Sequence, residues 1–222
     1  MRATEVALLA SVFIVAACGL VYELAAGALA SYLLGDSILQ FSTVIGTYLF
    51  AMGAGSYLSR FFERQLVAHF LRIELLVGLV GGLMPAALFA LHTLAPGSFR
   101  FALYLMVFTV GVLVGLEIPL VMRILKRHFS ERYALKHLVS QVLTFDYLGA
   151  LAVSIAFPLL LVPQLGLIRA GLLFGLLNAA VALWALWLFR SELRHLAAHA
   201  LACMLPMVVL LAAFAGAQQV SS

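Results

Sequence analysis

Three carboxylates carry the chemical interest of this sequence: Glu23, Glu117 and Asp146. Each falls inside a long apolar run, and no Lys or Arg sits at comparable depth in those runs. A charge placed in hydrocarbon costs about 2.5–3.5 kcal/mol even on the lenient insertion scale. Such groups call for a proton, a ligand or another protein to offset them. Tyr22 adjoins Glu23 and Tyr147 adjoins Asp146, while Tyr48 lies in the second apolar run. A tyrosine offers an ammonium ion both a hydroxyl and a π-face. The functional reading is therefore a cation or proton site built from Glu23, Tyr22, Tyr48, Glu117, Asp146 and Tyr147. The bland reading is a set of protonated carboxyls, each hydrogen-bonded to a neighbouring helix.

Nothing in the sequence pairs a nucleophile with a base. There is no Gly-x-Ser-x-Gly and no His-Glu-x-x-His, and Gly53-Ala54-Gly55 lies in an apolar helix rather than in a phosphate-binding loop. No catalytic residue and no cofactor is expected. His69, His128, His137, His195 and His199 lie in or near polar connections without the tight spacing of a metal site, so they read as solvated and no metal is expected. Cys18 and Cys203 sit in separate apolar runs, which indicates neither a disulfide framework nor a metal site.

The elements that position these side chains follow from composition. Of the 222 residues, 65% are hydrophobic and only 10% charged, against roughly a quarter charged in soluble domains. The solvent for most of this chain is lipid, and continuous rather than alternating apolar runs select helices over a barrel. About 20 apolar residues cross a bilayer, and seven runs qualify: 6–34, 38–58, 73–94, 101–122, 138–162, 167–189 and 200–215. The first reads as a retained helix rather than a signal peptide, because the apolar run continues well past Cys18. Gly35-Asp36-Ser37 and Ala95-Pro96-Gly97-Ser98 read as turns, and Pro163-Gln164 closes the fifth helix. Arg60–Arg72 and Arg123–His137 read as basic connections. Pro119 and Pro158 read as kinks. Trp184 and Trp187 read as interfacial anchors, and the pairs Gly78/Gly82, Gly111/Gly115 and Gly171/Gly175 as sites of close helix contact.

The basic residues decide orientation. Arg2, Arg60, Arg64, Arg72, Arg123, Lys126, Arg127, Arg132, Lys136, Arg190 and Arg194 fall on one side, with only Arg100 and Arg169 on the other. This places the N-terminus in the cytoplasm of a cell with the protein in its inner membrane. It also accounts for the net charge of +4 without nucleic acid as a partner. Val44–Leu49 is similar to Leu143–Leu148, Gly78–Gly82 to Gly175–Ala179, and Gly19-Leu20…Glu23 to Gly115-Leu116-Glu117. Spacings near 100 residues, and three helices per unit, describe a 3+3 inverted repeat plus one extra helix.

The stretches Ala17-Cys18-Gly19-Leu20-Val21-Tyr22-Glu23-Leu24, Leu34-Gly35-Asp36-Ser37, Phe41-Ser42-Thr43-Val44 and Ala51-Met52-Gly53-Ala54-Gly55-Ser56 carry a resemblance. So do Gly115–Leu120, Asp146–Ala150 and Leu161–Leu167. Over about residues 10–190 the chain resembles the membrane portion of membrane-bound spermidine synthase-like proteins. The resemblance implies a major-facilitator-like membrane half, fused in other members to a soluble aminopropyltransferase that binds decarboxylated S-adenosylmethionine and a diamine. That domain's Gly-rich loop and amine-binding acids are not found here, so the expectation is a membrane module with no catalytic domain and no enzyme activity.

The expected fold is an all-α polytopic bundle of about seven transmembrane helices forming a single transmembrane domain, 1–222. The expected function is that of a transporter-like or ligand-binding membrane protein for a small organic cation, by the resemblance a polyamine. The alternative is a non-transporting scaffold or anchor subunit of a larger complex, using the basic inner connections. A membrane enzyme acting on lipid through the buried acids has only those acids in its favour. The expected partners are the lipid bilayer, a small organic cation, and a protein partner or a second copy of the chain.

Overall fold

The computed structural model describes residues 3–129, 135–193 and 196–219, and no strand occurs among them. The helices are α1 (Ala3–Leu34), α2 (Ser37–Leu58), α3 (Leu66–Leu94), α4 (Phe99–Phe129), α5 (Leu135–Ala156), α6 (Val162–Leu188) and α7 (Leu196–Gln219). Six stretches are long and apolar enough to cross a membrane: Val6–Leu34, Ser37–Phe61, Leu66–Leu94, Pro96–His128, Lys136–Leu188 and Leu196–Ala217. The expected count was seven. The difference arises because α5 and α6 are joined through a π-helical segment, Phe157–Leu161, into one stretch of 53 residues. Pro158 lies in that segment, and a proline that cannot donate to the preceding turn favours such a bulge. Pro163 therefore does not close the fifth helix; it occupies the start of α6. The backbone breaks instead at Gly166, with φ 70° and ψ 173°, a conformation that only glycine adopts without strain.

Other boundaries also move. Helix α3 begins at Leu66 rather than at residue 73, so the second half of the expected Arg60–Arg72 connection is helical. The apolar residues Leu66, Val67, Ala68, Phe70 and Leu71 are all buried, and Arg72 is a polar position on a helix that has already started. Helix α4 runs to Phe129, a further seven residues past Met122. Helix α7, expected to be short, has 24 residues. Both expected turns hold. Gly35 and Asp36 adopt positive φ, and the Asp36 carboxylate accepts the Leu39 N–H at 3.1 Å, capping α2. Pro96–Ser98 forms a 3-10 turn into α4.

Helix α1 lies at the centre. Cys18, Val21, Tyr22, Ala25, Ala26, Leu29 and Ala30 are each at most 1% exposed, so α1 is covered on more than one face. It packs chiefly on α5, and also on α2, α4 and α6. The other main pairings are α2 with α4 and α3 with α6. In α2 the buried residues Gln40, Val44, Tyr48, Ala51 and Gly55 recur every three or four positions, the stripe of a one-sided helix contact. Two glycine contacts set how closely these pairs approach. A Cβ on Gly115 would strike the Met52 carbonyl, and one on Gly78 would strike the Gly175 carbonyl. Arg123 donates to the Ser59 carbonyl at 2.8 Å and the Phe62 carbonyl at 3.2 Å, tying the end of α2 to α4. Arg169 donates to the Ala217 carbonyl, tying α6 to α7. The outer surface remains apolar, with Phe50, Leu159, Trp187 and Leu201 each at least 65% exposed. The core is apolar as well, and among the described residues the buried polar ones are Ser11, Gln40, Ser59, Glu74, Glu117 and Asn178.

Candidate functional site

Glu23 from α1, Tyr48 from α2, Glu117 from α4, and Asp146 and Tyr147 from α5 all line one pocket of about 180 Å³. The pairing of α2 with α4, and of α5 with α1, brings these four helices together around it. Glycines matter here for a local reason. Gly19 carries no side chain, so its carbonyl is reachable and accepts the Tyr48 hydroxyl at 2.9 Å. A Cβ at Gly19 would crowd Val114 and that hydroxyl. Tyr48 is thereby held by a hydrogen bond while its ring, only 2% exposed, forms part of the wall.

The electrostatics of the pocket are one-sided. Glu117 is 1% exposed, and its Oε1 has no hydrogen-bond partner among the described residues. Glu23 and Asp146 are half-buried, and Tyr147 is largely exposed at the pocket's edge. Among the described residues the one ion pair is His128 with Glu192, so no carboxylate of the pocket is paired to a cation. Buried polar groups are nearly always satisfied in folded proteins. A wall of unpaired carboxylates beside tyrosines is suited to an ammonium group or a proton. At about 180 Å³ the space falls below the usual range for whole ligands, and suits one arm of a linear molecule.

Five of the six residues singled out from sequence thus meet. Tyr22 does not join them. Residues 22 and 23 point about 100° apart on a helix, and the Tyr22 ring packs against Gly81 on the other face of α1. Its hydroxyl is buried and without a partner among the described residues.

One acid escaped the sequence reading. Glu74 is fully buried in α3, and neither carboxylate oxygen has a hydrogen-bond partner among the described residues. It does not line the pocket, whose described carboxylates are Glu23, Glu117 and Asp146. The signal was present in the apolar run before Arg72, which shows that α3 starts earlier and carries Glu74 two turns inside. Asn178 of α6 is likewise fully buried, with both side-chain polar atoms unpartnered among the described residues.

No group of three potential metal ligands occurs among the described residues. His128 bonds Glu192 and the Ile124 carbonyl, and His69 bonds the Gln65 carbonyl. His195, Arg194, Arg132 and Arg2 lie outside the described residues.

Comparison with known proteins gives close relatives. Polyamine aminopropyltransferase 2 of Ralstonia nicotianae is 62% identical over 187 residues, which is 84% of this chain and 36% of that protein. The polyamine aminopropyltransferase of Leptospira interrogans is 52% identical over 186 residues, again 36% of its length. That of Oceanobacillus iheyensis is 38% identical over 188 residues. The chain therefore spans about a third of the length of the curated relatives it matches. No family model matches the chain, and no solved structure matches it. These relatives overturn two expectations. Proteins named for a transferase stand against a transporter or a scaffold subunit, and against the reading that no enzyme is involved. The resemblance to spermidine synthase-like proteins stands at the level of these names: over 84% of its length this chain is similar to part of enzymes named polyamine aminopropyltransferase.

Proposed function

We propose that this chain is the membrane-embedded helical region of an aminopropyltransferase of polyamine biosynthesis, and that its acidic pocket receives an ammonium group of the amine. The 62% identity to a protein named polyamine aminopropyltransferase is the observation that carries the reading. Support for the amine comes from the pocket, where Glu23, Glu117 and Asp146 converge with no cation of the chain paired to them among the described residues. A polyamine arm is long, thin and cationic, which matches a small pocket with carboxylates on several walls.

The proposal extends to the placement of the chain, residues 1–222, as one unit in the inner membrane with its N-terminus in the cytoplasm. The stretch Lys136–Leu188 is 53 residues long, about 80 Å if straight, and a bilayer core is about 30 Å thick. Two crossings with a reversal at Gly166 fit it, making seven crossings in all. An inverted repeat has support in the packing: α2 lies on α4 as α5 lies on α1, and α3 meets α6. Gly78 touches Gly175, the residue that the sequence comparison equates with it.

The test is an assay of aminopropyl transfer from decarboxylated S-adenosylmethionine to a diamine in native membranes, with and without the gene. Membrane-associated activity should disappear on deletion and return with the intact gene. Restoring Glu23→Gln/Asp146→Asn instead should raise the KM for the diamine more than it lowers kcat. Undiminished transfer in deletion membranes would remove the enzyme reading. Unchanged KM in the double variant would remove the amine pocket alone.

A further inference from the structure

A second and much larger cavity, of about 1160 Å³, lies among the start of α3, the end of α4, the α6–α7 connection and the start of α7. Its chemistry is opposite to that of the acidic pocket. Arg64, Arg72 and Arg127 line it together with His199. The acid among the described lining residues is Glu192, already engaged by His128. Arg64, Arg72 and Arg127 have no hydrogen bond or ion pair among the described residues, in contrast to Arg123, which caps two carbonyls nearby. Three unengaged guanidiniums facing one space form an anion site, and the guanidinium fork matches phosphate oxygens.

The remainder of the lining decides which anion. Leu193, Ala198 and Ala202 present apolar surface to the cavity, and Leu71, Leu75, Ile124 and Cys203 lie buried behind it, so the part away from the arginines is apolar. Inorganic phosphate would use the arginines and leave that apolar part wet. At about 30 Å³ per water molecule, a single phosphate also fills a small fraction of the space. An acidic peptide would meet the same mismatch. A molecule with a phosphate at one end and hydrocarbon at the other uses both parts. Basic pockets between helices on the cytoplasmic side of a membrane are suited to anionic headgroups.

We propose that the cavity between α3, α4 and α7 binds an anionic phospholipid, with its phosphate on Arg64, Arg72 and Arg127 and its acyl chain along Leu193, Ala198 and Ala202. Bound lipid would fasten α7, whose other ties are to α6 and α3, onto the end of α4. The site is separate from the acidic pocket and does not depend on the enzyme reading.

The test uses protein purified in neutral detergent, with phosphatidylglycerol, phosphatidylcholine of the same chains, and inorganic phosphate as probes. Native mass spectrometry and thermal unfolding are the readouts. Phosphatidylglycerol adducts should persist and raise Tm, while the other two probes at equal concentration should do neither. Arg72→Gln/Arg127→Gln should weaken phosphatidylglycerol binding about 30-fold, the factor expected for two cationic side chains at an anionic surface. Arg100→Gln, outside the cavity, should leave binding unchanged. Ala202→Phe keeps every charge and narrows the apolar part of the cavity, so it should also weaken the adduct, and it replaces the double variant if that one fails to fold. Equal retention of phosphatidylcholine would overturn the proposal. So would a Tm rise with phosphate alone that matches the lipid's, an equal loss in Arg100→Gln, or adducts that survive undiminished in the folded variants.

Discussion

Glu74 concentrates the cost of burying polar groups in one side chain. A buried carboxyl with neither oxygen satisfied costs about 1–3 kcal/mol, and replacing a buried polar group by an apolar one of similar shape is often stabilising. Glu74→Met should therefore raise the Tm of the purified protein. Glu74→Lys, which places a longer charged side chain in a fully buried position, should prevent folding or lower Tm sharply. A fall in Tm for Glu74→Met, with Glu74→Gln neutral, would show that the carboxyl is bonded to something in the native protein and would reverse the argument. At this scale the sequence was informative where an acid stood alone in an apolar run, as Glu23, Glu117 and Asp146 do. It misled at Glu74, because Arg72 two residues earlier set the expected start of the helix at residue 73 and left Glu74 at its edge. Tyr22 was misplaced for a geometric reason: adjacency in sequence turns side chains away from each other on a helix.

At the scale of elements, the helix pairs are held by backbone contacts that tolerate no added atom. Gly53 and Gly55 lie two residues apart on α2 and make a natural comparison. A Cβ on Gly53 meets nothing within 4 Å, whereas one on Gly55 would strike the Val112 carbonyl and crowd Gly115 on α4. Gly53→Ala should be neutral or stabilise by up to about 1 kcal/mol, through helix propensity and a less flexible unfolded chain. Gly55→Ala should destabilise by about 1–3 kcal/mol, because two backbones must part. Thermal unfolding of the pair in one detergent reads the difference, and equal Tm values would mean that α2 and α4 are not in this contact. The glycine pairs were visible in the sequence as small residues one turn apart, but their partners were not. Helix ends were readable where the backbone itself demands a turn, at Gly35-Asp36 and Pro96-Gly97. Between α5 and α6 the sequence reading placed the boundary at Pro163-Gln164. A proline is tolerated in the first turn of a helix, so the residue with positive φ marks the break.

For the molecule as a whole, six stretches among the described residues are apolar and long enough to cross a bilayer. The path of the chain then decides what each face meets. If Lys136–Leu188 crosses twice, residues near Gly166 emerge on the face opposite to the basic connections. Gln164 is exposed and two residues from the break. In a variant with Cys18 and Cys203 replaced by alanine, Gln164→Cys should react with a membrane-impermeant maleimide on intact spheroplasts. Lys126→Cys, at the end of α4, should react only after lysis. The same contrast tests the orientation deduced from arginine and lysine, since a reversed chain would exchange the two results. Protection of position 164 before and after lysis, with position 126 reactive after lysis, would mean a stretch that does not emerge at Gly166, and the seven-crossing path would fall. This path also explains why function was less legible than fold. Hydrophobic length fixes crossings by simple geometry, but a cluster of acids fits an amine that is bound for catalysis or for passage equally well. The relatives' names point to polyamine biosynthesis, and the proposal of an amine in the pocket on α1, α2, α4 and α5 rests on those names.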